Sequence, residues 1–513
     1  MYGTRMLFFC VFFVFVPKEE DKGSMEYEKV SFIRNVGTSV KNGKVWLFFE
    51  PPVLEAGGFK PGDRIEMKIV AEKRALVFRK SPGGDHVVSR RKRNGRERPL
   101  MDRCNEEITG IIRLRKRIDV LVSDGILVVR EEQSFEFCLV EKPMLQGSEL
   151  KRLRLASFPS GAGIASKALC STGLFEEIFG GDIMPEAVET HRLNFADGTT
   201  YFGDLRRLHP GYLDPVDAVW LSPSCVEFSL LKGYGSAGGD QEGMGPIYAN
   251  LVLASGAQLI MIEEVVQYFR SRSFAHLKGL LQHVFPYWKG PTVLDAYDFG
   301  SPAGRTRGYV VAARFPLDDF QWPQPRIPEH RRPTIEQVIG KDWESRAEWR
   351  PIEGTVMEGL LRKSSDKNNF RADSNRTLVK PSDTRMAALV ASYSRIQVTS
   401  SYLWHPDHPE LWRPFLSAEA ARILDVPADF EFPEHIPETK RMVMLGNSVD
   451  CRKVRAIGIE AAYALMRNRL TASAGDSVAV KGKSPAPERE IKREWLTEDA
   501  SGQISLSFES LSA

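Results

Sequence analysis

The stretch Val216-Asp217-Ala218-Val219-Trp220-Leu221-Ser222-Pro223-Ser224-Cys225-Val226-Glu227-Phe228-Ser229 decides how this 513-residue chain is read. Ala218 to Leu221 is an apolar run too short for a helix and reads as a buried strand. Ser222-Pro223 stops it and leaves Cys225 at its carboxyl end, where open α/β sheets hold their ligands. The glycines that follow (Gly233, Gly235, Gly238, Gly239, Gly243, Gly245) suit a flexible lid over a nucleophile. A lone cysteine is more often a buried structural residue. The sequence on either side favours the nucleophile.

Working outward, strands alternate with amphipathic helices from Leu153 onward, which predicts an α/β fold with a doubly wound, largely parallel, Rossmann-like sheet. Leu153–Phe158 is the first strand, followed by Ser160-Gly161-Ala162-Gly163 and a helix through Ala168 and Leu169. Glu177–Asp182 is the next strand, with Pro185 at a first helical position and Ala187, Val188 and His191 on one helix face. Further strands are expected at Asp217–Leu221, Leu259–Glu263, Thr292–Tyr297 and Tyr309–Ala313. This catalytic and cofactor-binding domain covers residues 149–314. Regular patterning fades over 315–412, a stretch rich in Pro, Arg, Asp and Trp with isolated helical pieces such as Thr334–Ile339. It returns over 413–470 with a helix at Ser417–Leu424, opened by a serine cap, and a last helix whose apolar face carries Val454, Ile457, Ala461, Ala462 and Leu465. Residues 471–513 lack the apolar content to fold and are read as a disordered tail.

Upstream, residues 25–148 show period-two apolar runs broken by turns, among them Val45–Phe49, Ile65–Val70, Ala75–Phe78 and Ile126–Val129. They predict a small all-β module of barrel or swapped-hairpin type. It carries two basic clusters, Ser89–Arg98 with Arg90, Arg91, Lys92 and Arg93, and Arg113–Arg117, of the kind that contact phosphates. The apolar run Met6–Val16 is too short to span a bilayer, and no small-residue cleavage site follows it. Residues 1–24 are therefore read as a disordered leader or a misassigned start.

A net charge of +3 makes the whole-molecule field weak, so affinity for nucleic acid must come from local patches. The six cysteines (10, 104, 138, 170, 225 and 451) form no C-x-x-C pair, which argues against a zinc ribbon and a disulfide framework and fits a reducing cytoplasm. No metal and no membrane association are expected.

Three strand ends describe a nucleoside-binding half. The Phe158–Gly163 turn brings backbone N–H groups close to a ligand, Asp182 can accept from ribose hydroxyls, and the Asp204 carboxylate can face an adenine amino group. With these in place the chain from about Leu153 to Leu470 resembles the DNA cytosine-5 methyltransferase family. The family's ordered motifs match Phe158–Gly163, Asp182, Gly203-Asp204, Ser224–Ser229, Glu263-Glu264-Val265, Ala303–Arg307, Arg413–Ala421 and Gly446-Asn447-Ser448-Val449. The resemblance implies S-adenosylmethionine as cofactor, held by Phe158, Gly161, Gly163, Asp182, Asp204, Pro223 and Asn447. It implies Cys225, Glu263, Arg305 and Arg307 as catalytic residues, Ser229 as a DNA contact, and 315–412 as a target-recognition region. Double-stranded DNA is the expected substrate, a monomer the expected state, and a cognate restriction endonuclease a partner in keeping with such enzymes.

The chemistry explains the residue types. Cytosine C5 is too weak a nucleophile to accept a methyl group until a thiolate adds at C6, and an acid at N3 relieves the negative charge this creates. Cys225 and Glu263 supply those groups, with Arg305 and Arg307 as nearby cations and a buried Glu263–Arg salt bridge as the structural alternative. The target base must leave the duplex stack, and Leu230–Pro246 suits a loop that closes behind it. The chain departs from the family pattern at Ser224 (a proline), Glu264 (an asparagine), Ala303 (a glutamine) and the Ser160 turn, which is one residue longer. Glu264 is expected to raise the pKa of Glu263 by like-charge repulsion. The competing readings are a catalytically silent DNA-binding relative, and the same chemistry on RNA or with another alkyl donor.

Overall fold

Leu259–Glu264 is buried along its whole length, Leu259 and Met261 against one layer and Ile260 and Ile262 against the other. A strand covered on both faces belongs inside a doubly wound sheet. The computed structural model describes residues 14–15, 27–93, 96–132, 151–224, 243–325, 327–362, 376–476, 496–498 and 504–506. Cys225, Ser229 and nearly all of the expected lid lie outside the described residues, as does most of the leader.

The N-terminal part contributes β1 (Phe32–Gly37), β2 (Ser39–Lys41), β3 (Lys44–Phe49), β4 (Arg64–Val70), β5 (Ala75–Lys80), β6 (His86–Val87), β7 (Ser89–Arg93), β8 (Arg96–Cys104), β9 (Arg117–Ser123) and β10 (Ile126–Glu131). The rest contributes β11 (Leu153–Phe158), β12 (Phe175–Asp182), β13 (Thr199–Phe202), β14 (Ala218–Leu221), β15 (Leu259–Glu264), β16 (Tyr287–Asp295) and β17 (Thr306–Ala313). Thirteen of these form one sheet in the order β16-β17-β15-β14-β11-β12-β13-β1-β9-β10-β5-β4-β6, while β2-β3-β8-β7 form a second. From β15 to β13 the strands are parallel, and β16 and β17 close the far side antiparallel. The winding direction reverses beside β11, which opens a crevice at the carboxyl ends of β11 and β14.

Six helices position the site. They are α1 (Ile164–Cys170), α2 (Pro185–Asn194), α3 (Met244–Ala254), α4 (Arg272–Leu281), α5 (Glu438–Asn447) and α6 (Cys451–Asp476). Pro185 stands in the first turn of α2, and Ala187, Val188 and His191 are buried, as their spacing predicts. Val454, Ile457, Ala461, Ala462 and Leu465 of α6 pack into the same core as Leu155 and Trp220.

Several expectations change. The N-terminal β strands share one core between their two sheets but are not a separate module, since they continue the central sheet: β1 pairs in parallel with β13, Thr200 opposite Phe32 and Phe202 opposite Arg34. Phe32 and Val120 share a core with Val188 and Phe202, and a buried network ties the two parts, with Asn35 donating to Asp119 at 2.8 Å and the Tyr212 hydroxyl donating to Asp119 at 2.7 Å. The strand expected at Thr292–Tyr297 runs instead from Tyr287 to Asp295, and Asp295 accepts from the Tyr297 N–H to start a 3-10 turn. Ser417 does not cap its helix; its hydroxyl donates to Glu438 at 2.7 Å. Residues 315–412 hold a four-stranded sheet of two- and three-residue strands (Arg350–Pro351, Leu411–Arg413, Tyr402–Trp404, Leu378–Val379), too short for any alternation to register in sequence. α6 continues past Leu470 to Asp476. The chain divides into residues 1–468 and 469–513; the latter includes a hairpin of Leu496–Glu498 with Ile504–Leu506.

Because β1 covers the β13 edge, deleting residues 27–132 removes the partners of Val188, Phe202 and Tyr212. Each large apolar side chain so exposed forfeits about 1.5–3 kcal/mol, so the truncated chain is expected to lose its cooperative thermal transition by circular dichroism. A sharp melt at the full-length temperature would show that this half folds without the extension.

Candidate active site

The crevice at the strand ends is a cavity of about 340 Å³. Its walls come from the turn after β11 (Pro159, Gly161), the end of β12 (Asp182), the turn after β13 (Asp204), the end of β14 (Trp220, Ser222, Pro223, Ser224), Glu263 and Glu264 of β15, Arg307 of β17, and Met444 and Asn447 of α5. Sheet register makes this arrangement. Leu221 lies opposite Ile262, so the next residues, Ser222 and Glu263, emerge side by side. Glu264 lies opposite Gly308, which brings Arg307 to the same mouth.

Glu263 is held from two sides. The Ser222 hydroxyl donates to its Oε2 at 2.8 Å, and the Arg307 Nε stands 3.3 Å from its Oε1. The salt bridge raised as the structural alternative is thus present, yet both partners line the cavity. Glu264 points to the opposite sheet face and accepts from the Val265 N–H through Oε2. Its Oε1 is buried with no hydrogen-bond partner among the described residues. Burial, and then the Glu263 charge, push the Glu264 carboxyl up to about 8. Sequence reasoning expected the two neighbouring carboxyls to repel each other; the upward push is on Glu264, whose face of β15 packs with Tyr248 of α3.

Of the expected cofactor residues, Gly161, Asp182, Asp204, Pro223 and Asn447 line the cavity, while Phe158 and Gly163 do not. Phe158 is fully buried against Phe179, with ring centroids 5.7 Å apart. Gly163 begins α1 with φ +84°, and a Cβ there would come within 2.6 Å of Phe195, so its role is close packing. Asp182 already accepts from the N–H groups of Gly161 at 2.9 Å and Met184 at 2.8 Å, which binds the two turns together. Partial burial works to raise the Asp204 pKa, but hydrogen bonds from Arg206 outweigh it and hold the carboxyl below its usual range. The pocket suits a nucleoside: among the described residues a Cβ on Gly161 would meet nothing within 4 Å, and the Trp220 indole N–H has no hydrogen-bond partner.

Arg305 is not in the cavity. It is 4% exposed and donates to the carbonyls of Leu389 at 3.0 Å, Gly446 at 3.1 Å and Ser448. The sequence reading put it near the base; the structure makes it a clamp on the turn that presents Asn447. Gly446 permits the same closeness, since a Cβ there would lie 2.3 Å from the Ala391 nitrogen. Buried Lys453 completes the clamp by donating to the Arg305 carbonyl at 2.6 Å. Burial lowers the Lys453 pKa to about 8 against the opposing pull of Asp450. Arg90, Arg91, Lys92 and Arg93 lie on β7, the first three exposed and Arg90 3.3 Å from Glu97.

Sequence reasoning missed Ser222, Trp220, Tyr248, Met444 and Lys453. Ser222 had a signal, since it follows its strand directly as Glu263 nearly ends the neighbouring one. Trp220 lies on β14 itself, and Tyr248, Met444 and Lys453 depend on which helix returns to the crevice, which no local pattern carries.

The profile of the C-5 cytosine-specific DNA methylase family matches residues 153–461, more than half of the chain and all of the cavity. The chain belongs to that family. It is a DNA cytosine-5 methyltransferase, and membership implies S-adenosylmethionine as the methyl donor. The enzyme is 25% identical over 372 residues to the type II methyltransferase M.MspI of Moraxella sp., covering 71% of this chain and 84% of that protein. It is similar to the solved S. pombe Dnmt2 methyltransferase (21% identity, 62% of this chain and 99% of that one, TM-score 0.47). It is also similar to the Entamoeba histolytica methyltransferase EhMeth (17% identity, 63% and 99%, TM-score 0.45). No described helix is long and apolar enough to cross a membrane, and the described residues contain no group of three or more His, Cys, Asp or Glu placed to hold a metal.

Losing the Arg305 hydrogen bonds leaves buried carbonyls unmet, each worth about 1.5–3 kcal/mol when the donor is charged. Arg305→Met is therefore expected to cost at least ~2 kcal/mol in urea denaturation, whereas Arg307→Met, at the cavity mouth, should cost less and act chiefly on turnover. Equal stability losses would contradict the division of roles.

Proposed function

We propose that this enzyme methylates C5 of a cytosine in duplex DNA through a covalent bond between Cys225 and C6 of a base swung out of the helix. The observation that carries the reading is the Glu263 carboxyl, held by Ser222 and Arg307 in the same cavity as Gly161, Asp182 and Asp204. S-adenosylmethionine supplies an electrophilic methyl group on its sulfonium. On this reading Gly161, Asp182, Asp204, Trp220, Pro223 and Asn447 hold it. Cys225 follows Ser224, the last described residue of the β14 wall, and its thiolate adds to C6. Glu263 supplies the proton at N3 and holds the exocyclic amine, so that electron density moves to C5. Arg307 keeps Glu263 oriented and offsets the charge that accumulates on the ring. Once the methyl group is in place, a base removes the C5 proton and the thiol leaves.

Target choice is proposed for residues 315–412, where the small sheet around Tyr402 and Trp412 gives recognition loops a rigid base. The exposed β7 cations Arg90, Arg91 and Lys92 are proposed to neutralise DNA phosphates. Because the N-terminal strands are part of the central sheet, charge removal tests this better than deletion. Arg90→Gln/Arg91→Gln/Lys92→Gln is expected to leave the melting curve unchanged while making log K against log salt shallower by about 0.9 for each phosphate no longer neutralised. An unchanged slope would remove β7 from the interface. A monomeric state and a companion endonuclease are proposed with the same reading.

The chemical step is tested with an oligonucleotide duplex carrying 5-fluorocytosine, since fluorine cannot depart as a proton does and the adduct is trapped. With S-adenosylmethionine present, wild type should form a denaturation-resistant adduct and Cys225→Ala none, while Glu263→Gln should slow normal methylation by about 10²–10⁴. DNA binding without an adduct would indicate a silent relative, and an adduct only with fluorocytosine RNA would move the substrate.

A further inference from the structure

We propose that Glu264 serves this reaction as an undissociated acid, the hydrogen-bond donor on the α3 side of the cavity, and that its ionisation sets the upper pH limit of methylation. The inference rests on the methyltransferase reading and goes beyond it, because the position carries an asparagine in the family pattern. Four observations lead to it. Glu264 is 2% exposed yet lines the cavity. Its Oε2 is engaged by the Val265 N–H, while its Oε1 has no hydrogen-bond partner among the described residues and is the oxygen on which a proton can sit. It follows Glu263 directly and emerges on the other sheet face, the face shared by Ile260, Ile262 and Tyr248 of α3. The cations of the neighbouring strand are committed elsewhere, Arg307 beside Glu263 and Arg305 on three backbone carbonyls.

Among the described residues, the charged and titratable groups around Glu264 are Glu263 on its own strand, Arg305 just before β17, Arg307 on β17, and Tyr248 on α3, with Tyr268 beside Tyr248. Asp182 joins them from the facing wall of the cavity. The Tyr248 hydroxyl is itself engaged by the Ser224 backbone at the base of the Cys225 turn. Thiolate addition brings negative charge into this cavity, and a second carboxylate beside Glu263 opposes it. A neutral acid does not, and it adds a donor. The sign of the linkage agrees. Burial first and the Glu263 charge second move the folded-state value from 4.5 to about 8, so the folded state keeps a proton that the unfolded chain has released. Between those limits stability falls as pH rises, and above about 8 the acid form is gone.

Glu264→Gln keeps a neutral donor of the same shape. Wild-type kcat for DNA methylation is expected to fall about tenfold per pH unit above 8, whereas Glu264→Gln, whatever its rate at pH 7, should hold that rate to pH 9. Glu264→Ala should lose rate at every pH. A pH limb unchanged in Glu264→Gln would assign it to another group, Glu263 first, and overturn the proposal. Infrared difference spectra between pH 6.5 and 9.5 decide it without turnover: a protonated-carboxyl band should bleach in wild type and be missing in Glu264→Gln. If no such band distinguishes the two proteins the proposal fails, even where methylation proceeds. If the band is there and no methyl transfer is found at any pH, the methyltransferase reading fails instead.

Discussion

A carboxylate at the end of a buried strand is the constraint on which the rest depends. Moving Glu263 out of water costs several kcal/mol unless charge and hydrogen bonds replace the solvent. Ser222 and Arg307 do so, and both arrive through sheet register: β14 runs parallel to β15 and delivers the hydroxyl, β17 runs antiparallel and delivers the guanidinium. The carboxylate is thus fixed by backbone hydrogen bonds made along three strands, and its geometry is settled before any ligand enters.

Around that centre the molecule spends its other buried charges on holding loops. Arg305 and Lys453 bind carbonyls from β16, the 389 region and the turn after α5, so the α5 turn cannot move independently of the catalytic strands. Arg413 and Glu419 form a fully buried pair that joins the small sheet to the returning helix, and Arg346 adds to it. On the far side, β1 protects the β13 edge that would otherwise be open to intermolecular pairing. What reads in sequence as an appended module is therefore part of the scaffold that keeps Asp182 and Asp204 in place.

Much of this was legible in sequence, for identifiable reasons. The central strands are short, mostly apolar runs ended by polar or turn residues, and β11, β12, β14, β15 and β17 fell close to where those signals put them. Gly161, Asp182, Asp204, Glu263 and Arg307, which line the cavity, could be proposed from sequence because each stands at or near one end of such a run. Arg305 was misread because two arginines separated by one residue do not reveal, from sequence alone, which of them faces the cavity and which the core. The parallel pairing of β1 with β13 spans about 170 residues and leaves no local mark. The strands within 315–412 are too short to alternate, and the departure at Glu264 shows in sequence while the burial that pushes its carboxyl up does not.

Everything turns on whether this cavity delivers a methyl group to carbon 5 of cytosine in cellular DNA. Mass spectrometry of nucleosides from cells expressing the wild-type chain, Cys225→Ala or Glu263→Gln measures that directly. The expected result is 5-methylcytosine above background with the wild type, none with Cys225→Ala and little with Glu263→Gln. Equal 5-methylcytosine from wild type and Cys225→Ala, or none from a folded wild-type protein, would contradict it.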